Sequence, residues 1–502
     1  MTEPTRLERA TPESQGVSSE AIEAFVRVAN ERGFGLHSLM VLRHGRVIAE
    51  GWWSPYTEHQ EHMMFSVSKT LTATAIGIAQ DEGVLSVDDP LISFFPAYAT
   101  DAVRANVRGL RVRDLLTMST GHDVDTMEIM RAQPTEDWVK VFLETPIEYP
   151  PGTHFLYNSG ASFVLSAIVS SRTGVHVGEY LRTRLFAPLG IVQPPWETNP
   201  RGIPYGASGV RITTEDLAKI GQLYLQRGVW EGRRLLSEEW ITAATSAQVP
   251  NGSDPLDDWN QGYGFQIWRS QHDSYRFDGR YGQFAFVLPD QDTVVAITAG
   301  ARDSRAIPRA LWEVLLPALG DSALPSAPEA VAALTETLGR QEVELPAFLD
   351  ELPAPLRSLG DTELRVPFNT LHVTSVRLGF GRLESGADAA RLTVIHDGGR
   401  RETVASGRTE WVSGVTTLWP YEEMSKALTE SRGGAVSETR FEIHQQCVET
   451  PFRRIWRFDI DGTDASGVPQ VTVTVWLDNG FWVERTEVLR ATVVNAASAP
   501  AS

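Results

Sequence analysis

Apolar residues recur at helical spacing along LTATAIGIAQ, where Leu71, Ala75, Ile76 and Ala79 share a face. This predicts a helix that begins just after Ser66 and stops near Gly83. An earlier helix is expected from Ser18-Ser19-Glu20 to about Asn30, with Ser19 as its cap. Between the two, SLMVLRHGRVIAEGWW holds two β-rich runs split by His44-Gly45, the pattern of a hairpin. From Asp88 to Pro150 the pattern is helical but irregular, and Pro150-Pro151-Gly152 forces a turn. A further helix is expected from about Ala161. Thr213-Thr214-Glu215-Asp216 forms a capping box ahead of LAKIGQLYLQRG.

Residues 262–300 predict three strands, GYGFQIWR, SYRFDGRYGQFAFVL and TVVAITAG, with a turn at Pro289-Asp290-Gln291-Asp292. A terminal helix from about Ala306 to Leu319 follows. Strands thus lie at both ends of residues 1–320 with helices between them. The expected class is α+β, one antiparallel sheet assembled from both ends, covered by helices and joined by a helical subdomain. Residues 321–360 are rich in Pro, Ala and Leu and read as a linker with short helices. From 361 to 495 about eight short β runs at hairpin spacing predict an all-β, barrel-like antiparallel domain. The tail, 496–502, is expected to be disordered.

Composition narrows the function. With 502 residues, 42% hydrophobic and 22% charged, the chain reads as globular with room for two or three domains. A net charge of −19 argues against nucleic acid or an anionic membrane surface as partner. The single cysteine, Cys447, forms no internal disulfide. The start of the chain lacks a signal-peptide pattern and no run of 18 apolar residues occurs, so a cytoplasmic location is expected. His59 and His62 stand three apart without a third ligand at recognisable spacing, so no metal and no cofactor are expected.

The chemistry centres on Phe65-Ser66-Val67-Ser68-Lys69-Thr70. Three residues apart at a helix start, Ser66 and Lys69 share a face, and the lysine amine reaches the serine hydroxyl. A buried lysine with a lowered pKa can take that proton, whereas arginine stays charged. Only four residues are lysine against 41 arginines, which makes a chance Ser-x-x-Lys less common. Met63-Met64-Phe65 before the motif and the apolar helix after it point to burial, and Lys69 is expected to be the one buried lysine.

The order Ser66-x-x-Lys69, then Tyr157 after the Pro-Gly turn, then Gly279 in a late strand resembles the serine β-lactamase and penicillin-binding protein superfamily. The closest likeness is to its class C-type branch of esterases, D-aminopeptidases and nylon-oligomer hydrolases. FSVSKT, LLTMSTGHD, PGTHFLYNSGASFVLSAI, SGVRITTEDLAKIGQLYLQRG and DGRYGQFAFVLPDQD carry it over about residues 10–320. The resemblance implies a β-lactamase-like fold and a metal-free serine hydrolase working through an acyl-enzyme on small esters or amides. It makes Ser66 the nucleophile, Lys69 its proton acceptor and Tyr157 the proton relay. The Ser66 and Arg280 amides become the oxyanion hole beside Gly279, and Asn158 and Ser159 become substrate-binding residues. The family's third element, Lys-Thr-Gly, appears as Phe277-Asp278-Gly279. Without that lysine, an anionic lactam or stem peptide fits less well than an ester or uncharged amide. His122, Trp268 and Phe277 are candidate rim residues; His122 also reads as a loop hydrogen-bonder, and Trp268 as strand packing. The other readings are a β-lactamase or D-amino-acid peptidase, and, in a different class, an inactive penicilloyl-binding or interaction module. The C-terminal β region is similar to lipocalin-like domains appended to some D-aminopeptidases and esterases. Oligomeric state is open.

Overall fold

The computed structural model describes residues 6–417, 426–465, 468–478 and 485–493. The expected tail and the first residues of the last β run, 481–484, lie outside them. The described residues divide into two compact units, one of those up to 53 with 58–341, the other of 54–57 with those from 342 onward. The division therefore falls inside the stretch read as a linker.

In the first unit, α1 (Ser19–Glu31) buries Ile22, Phe25, Val26 and Ala29, the 3–4 spacing of one helix face. Its cap is Ser18, whose side chain accepts the Ala21 N–H, and not the neighbouring Ser19. The hairpin of β1 (Leu36–Arg43) and β2 (Arg46–Trp52) follows as expected. Next come α2 (Val67–Asp81), α3 (Ser159–Thr173) and α4 (Thr214–Leu225), the last opened by the Thr213–Asp216 capping box.

The 262–300 region holds four strands, not three: β3 (Trp268–Arg269), β4 (Tyr275–Gly279), β5 (Gln283–Leu288) and β6 (Thr293–Ala299). The long middle run breaks at a tight turn where Tyr281 and Gly282 take φ +66° and +90°. Glycine adopts that region freely, but tyrosine gives no sequence signal for it. The six strands form one antiparallel sheet in the order β2-β1-β6-β5-β4-β3, so both chain ends of the unit meet in it. Every residue of β1, β5 and β6 is buried. Strands covered on both faces read as unbroken apolar runs. Helix α4 packs on β1, β5 and β6, and α1 packs against the helical run 306–318.

Helix α5 (Pro328–Gly339) packs on α1 and β2, burying Leu334 and Leu338. A chain ending at 325 should therefore melt lower than one ending at 341. Two buried leucines are worth about 3–6 kcal/mol, or roughly 10 °C in a unit of this size. Both truncations remove the partners of Ser54–Thr57, so circular dichroism melts of the pair isolate α5. Equal melting points would show that α5 adds nothing to the unit.

The second unit is a ten-stranded sheet: β7 (Glu363–Arg365), β8 (Val373–Arg382), β9 (Asp388–His396), β10 (Arg401–Gly407), β11 (Val412–Thr416), β12 (Ala427–Ala435), β13 (Arg440–Cys447), β14 (Arg453–Thr463), β15 (Pro469–Asp478) and β16 (Arg485–Val493). The order is β10-β9-β8-β7-β16-β15-β14-β13-β12-β11, and a Gly407–Arg432 bridge joins β10 to β12, so the barrel is nearly closed. Two of its strands exceed the eight expected. VSGVT and ALTESRGGA carry too few large apolar residues to announce β11 and β12.

Candidate active site

Ser66 stands at the N-cap of α2, and the next thirteen positions of that helix, Val67 to Ala79, are all buried. Phe65, just before it, is held at φ +46°, a strained conformation for a non-glycine residue. Its ring meets that of Tyr281 edge-on at 5.2 Å. The two left-handed aromatics thus clamp the loop before Ser66 to the turn after β4. There, a Cβ on Gly279 would fall 2.3 Å from the Met64 carbonyl oxygen, so only glycine lets β4 approach this closely.

Lys69 is 2% exposed. Its Nζ donates to Ser66 Oγ at 3.1 Å, to the Ala207 carbonyl at 2.9 Å and to Ser159 Oγ at 3.4 Å. Burial is the main cause that lowers its pKa to about 7. Arg280 pushes the same way, while Asp125 and Asp278 oppose it. Half of such an amine is neutral at neutral pH and free to accept a proton. Lys219 is equally buried, contrary to expectation, but it pairs with Asp216 at 3.8 Å on α4.

The Tyr157 hydroxyl stands close enough to Ser66 for the serine to ease its ionisation, and its ring centre lies 4.9 Å from Lys69 Nζ. Burial, reinforced by Asp278 and Asp125, holds its pKa well above the ordinary phenol value, so it stays protonated. Trp268 stacks on it at 5.4 Å, and Tyr263 and Phe155 close an aromatic wall around Trp268. Ser66, Lys69, Tyr157, Ser159, Gly279, Arg280 and Trp268 are thereby assembled in one region.

Three residues take other places. Asn158 is fully buried as the N-cap of α3; its Oδ1 accepts from Gly160 and Ala161 N–H and from the Thr126 amide and hydroxyl. Its side-chain oxygen is spent on holding the helix that carries Ser159. His122 is fully buried against Phe142, with Nδ1 2.9 Å from the Thr120 hydroxyl, and burial lowers its pKa to about 4. It is a neutral core histidine, not a rim residue. Phe277 is 0% exposed and packs edge-on against Tyr224 of α4. Strand alternation turns its side chain into the core, so it cannot line the cleft.

Two acidic residues were missed. Asp125 accepts the Ser159 N–H at 2.9 Å and caps the helix Thr126–Ala132. Its position ahead of TMEIM was the available cap signal. Asp278 was hidden inside the Phe277-Asp278-Gly279 comparison. Among the described residues no group of three or more His, Cys, Asp or Glu side chains is placed to hold a metal ion. No helix among them is long and apolar enough to cross a membrane.

The family described as Beta-lactamase matches residues 21–317. A 6-aminohexanoate-dimer hydrolase of Paenarthrobacter ureafaciens is 30% identical over 220 residues, 41% of this chain and 55% of that protein. Penicillin-binding protein 4 of Amycolatopsis lactamdurans is 28% identical over 301 residues, 52% of this chain and 77% of that one. A putative D-alanyl-D-alanine carboxypeptidase of Escherichia coli is 23% identical and covered over 49% of its length, so the chain spans about half of several relatives it matches. The solved structure of EstCE1, a hydrolase with promiscuous acyltransferase activity, shares the fold. Its TM-score is 0.50 at 16% identity, over 59% of this chain and 98% of that one.

Proposed function

The chain belongs to the beta-lactamase family of serine hydrolases, and from that premise we propose that it hydrolyses small esters or amides through an acyl-enzyme on Ser66. The supporting observation is the 3.1 Å contact between Ser66 Oγ and a buried lysine whose pKa has fallen to about 7. Neutral Lys69 takes the serine proton as Oγ attacks the carbonyl carbon. The Ser66 and Arg280 amides hold the oxyanion. Tyr157, as a neutral phenol, gives its proton to the leaving group and takes in its place the proton that Lys69 removed from Ser66. Water then attacks the acyl carbonyl, gives its proton back along the same path, and the carboxylic acid leaves as Ser66 Oγ is reprotonated. Nothing in this cycle calls for the tyrosine to ionise first.

A panel of short-chain nitrophenyl esters, a chromogenic cephalosporin and D-alanyl amides tests the substrate class. Turnover of the esters with little on the cephalosporin is expected. Preferred cephalosporin or D-alanyl amide turnover would assign a β-lactamase or D-amino-acid peptidase. Stable acylation without turnover on any of them would assign a penicilloyl-binding module.

The pH profile follows from the proton positions. The working base is neutral Lys69, so kcat/KM should be flat above pH 7 and fall about tenfold per unit below it. Tyr157→Phe should cost about 10²–10⁴-fold in kcat, the usual range for a lost acid–base group, while leaving that inflection in place. A Tyr157→Phe variant with near-normal kcat would remove the tyrosine from the proton path.

A further inference from the structure

Strand alternation that buries Phe277 sends its neighbours Arg276 and Asp278 to the opposite face of β4. There Arg276 is 0% exposed and bridges two carboxylates, Asp258 and Asp278, each at 2.9 Å. One guanidinium, which cannot lose its proton, thus serves two negative charges. Asp258 is further tied down by the Gln271 N–H and the Trp312 indole. Asp278 is the more exposed of the two, at 15% against 7%. It directly precedes Gly279, the residue that brings β4 against the loop of Ser66. Arg276 also lies 5.7 Å from the Trp268 ring, which stacks on Tyr157, so this face of β4 is the one beside the proposed nucleophile. Burial raises the Asp278 carboxyl's pKa while Arg276 opposes the rise, and one guanidinium shared by two carboxylates leaves one negative charge in excess beside the half-buried rings of Phe155, Tyr157 and Trp268.

We propose that Asp278 is a specificity-determining residue that selects substrates carrying a cationic group beside the scissile carbonyl and disfavours those carrying a carboxylate there. The inference rests on the hydrolase reading given above. It replaces the argument from a missing lysine at position 277, because that position does not face the cleft. The competing cation is Arg280, half-buried at the end of β4, whose charge acts on Lys69 from the same neighbourhood.

The test uses the full chain and three nitrophenyl esters of matched length: trimethylammoniobutyrate, its uncharged dimethylhexanoate isostere, and the glutarate half-ester. The order of kcat/KM should be cation, neutral, anion, with the cation favoured over the isostere by about tenfold or more, the effect of one poorly screened opposite charge. In Asp278→Asn that ratio should fall to within about twofold, and in wild type it should shrink as salt is added. The ratio is internal to each protein, so a loss of folded fraction in the variant does not affect it. The salt series needs no variant at all. An anion preference in wild type that Arg280→Ala removes would overturn the proposal, as would a cation preference that survives Asp278→Asn. Labelling of Ser66 by a fluorophosphonate separates the two levels. Labelled enzyme without charge preference defeats this inference alone, and absent labelling defeats the hydrolase reading beneath it.

Discussion

Lys69→Arg should lower kcat/KM by about 10³-fold or more, nearly as much as Lys69→Ala, even though it keeps the positive charge. The amine is asked to be neutral for part of the time, and its 2% exposure makes that possible. A guanidinium at the same place stays protonated at every accessible pH and cannot accept the proton of Ser66. Raising the pH should therefore not rescue the arginine variant. The larger head group also has to fit where Nζ now meets Ser66, Ser159 and the Ala207 carbonyl, so some loss of melting temperature is expected. Rates should be corrected for folded fraction by circular dichroism. Near-normal turnover by Lys69→Arg would show that another group is the base.

Ser66→Ala should have a still larger effect, about 10⁶-fold in kcat, because no other hydroxyl occupies its place at the start of α2. Ser68 is two residues on and fully buried, and its Oγ accepts the Val210 N–H at 3.2 Å. Ser159 Oγ stands 3.4 Å from Lys69 Nζ, farther than Ser66 Oγ at 3.1 Å, and its own N–H is held by Asp125. Progress curves on a nitrophenyl ester, followed to background hydrolysis, measure the loss. A residual rate within tenfold of wild type would mean that water is activated without an acyl-enzyme.

The contact between the proposed nucleophile and its lysine was legible because both sit on one short helical segment, where spacing alone fixes it. Tyr157 is far away in sequence, and only the order of motifs singled it out from other half-buried tyrosines. What failed was side-chain direction in the strand. The likeness of Phe277-Asp278-Gly279 to Lys-Thr-Gly says nothing of direction, whereas the pleat turns Phe277 to Tyr224 and Asp278 to Arg276 on the opposite face. Asn158 misled for a related reason: as the residue after Tyr157 it looked like a substrate contact, but an asparagine just before a helix is first of all a cap. The sheet's assembly from both ends was readable from continuous apolar runs. The break at Tyr281 was not, since nothing local favours a left-handed tyrosine; its packing on Phe65 goes with it. In the barrel the missed strands are those in which Ser, Thr, Glu and Gly fill the places of larger apolar residues, so a pattern search finds no face to follow.

The most direct test of the account is to treat the full chain with a fluorophosphonate and map the adduct by mass spectrometry. One adduct is expected, on Ser66, absent from Ser66→Ala and retained by Ser68→Ala and Ser159→Ala. An adduct on any other serine, or an undiminished one in Ser66→Ala, would contradict it.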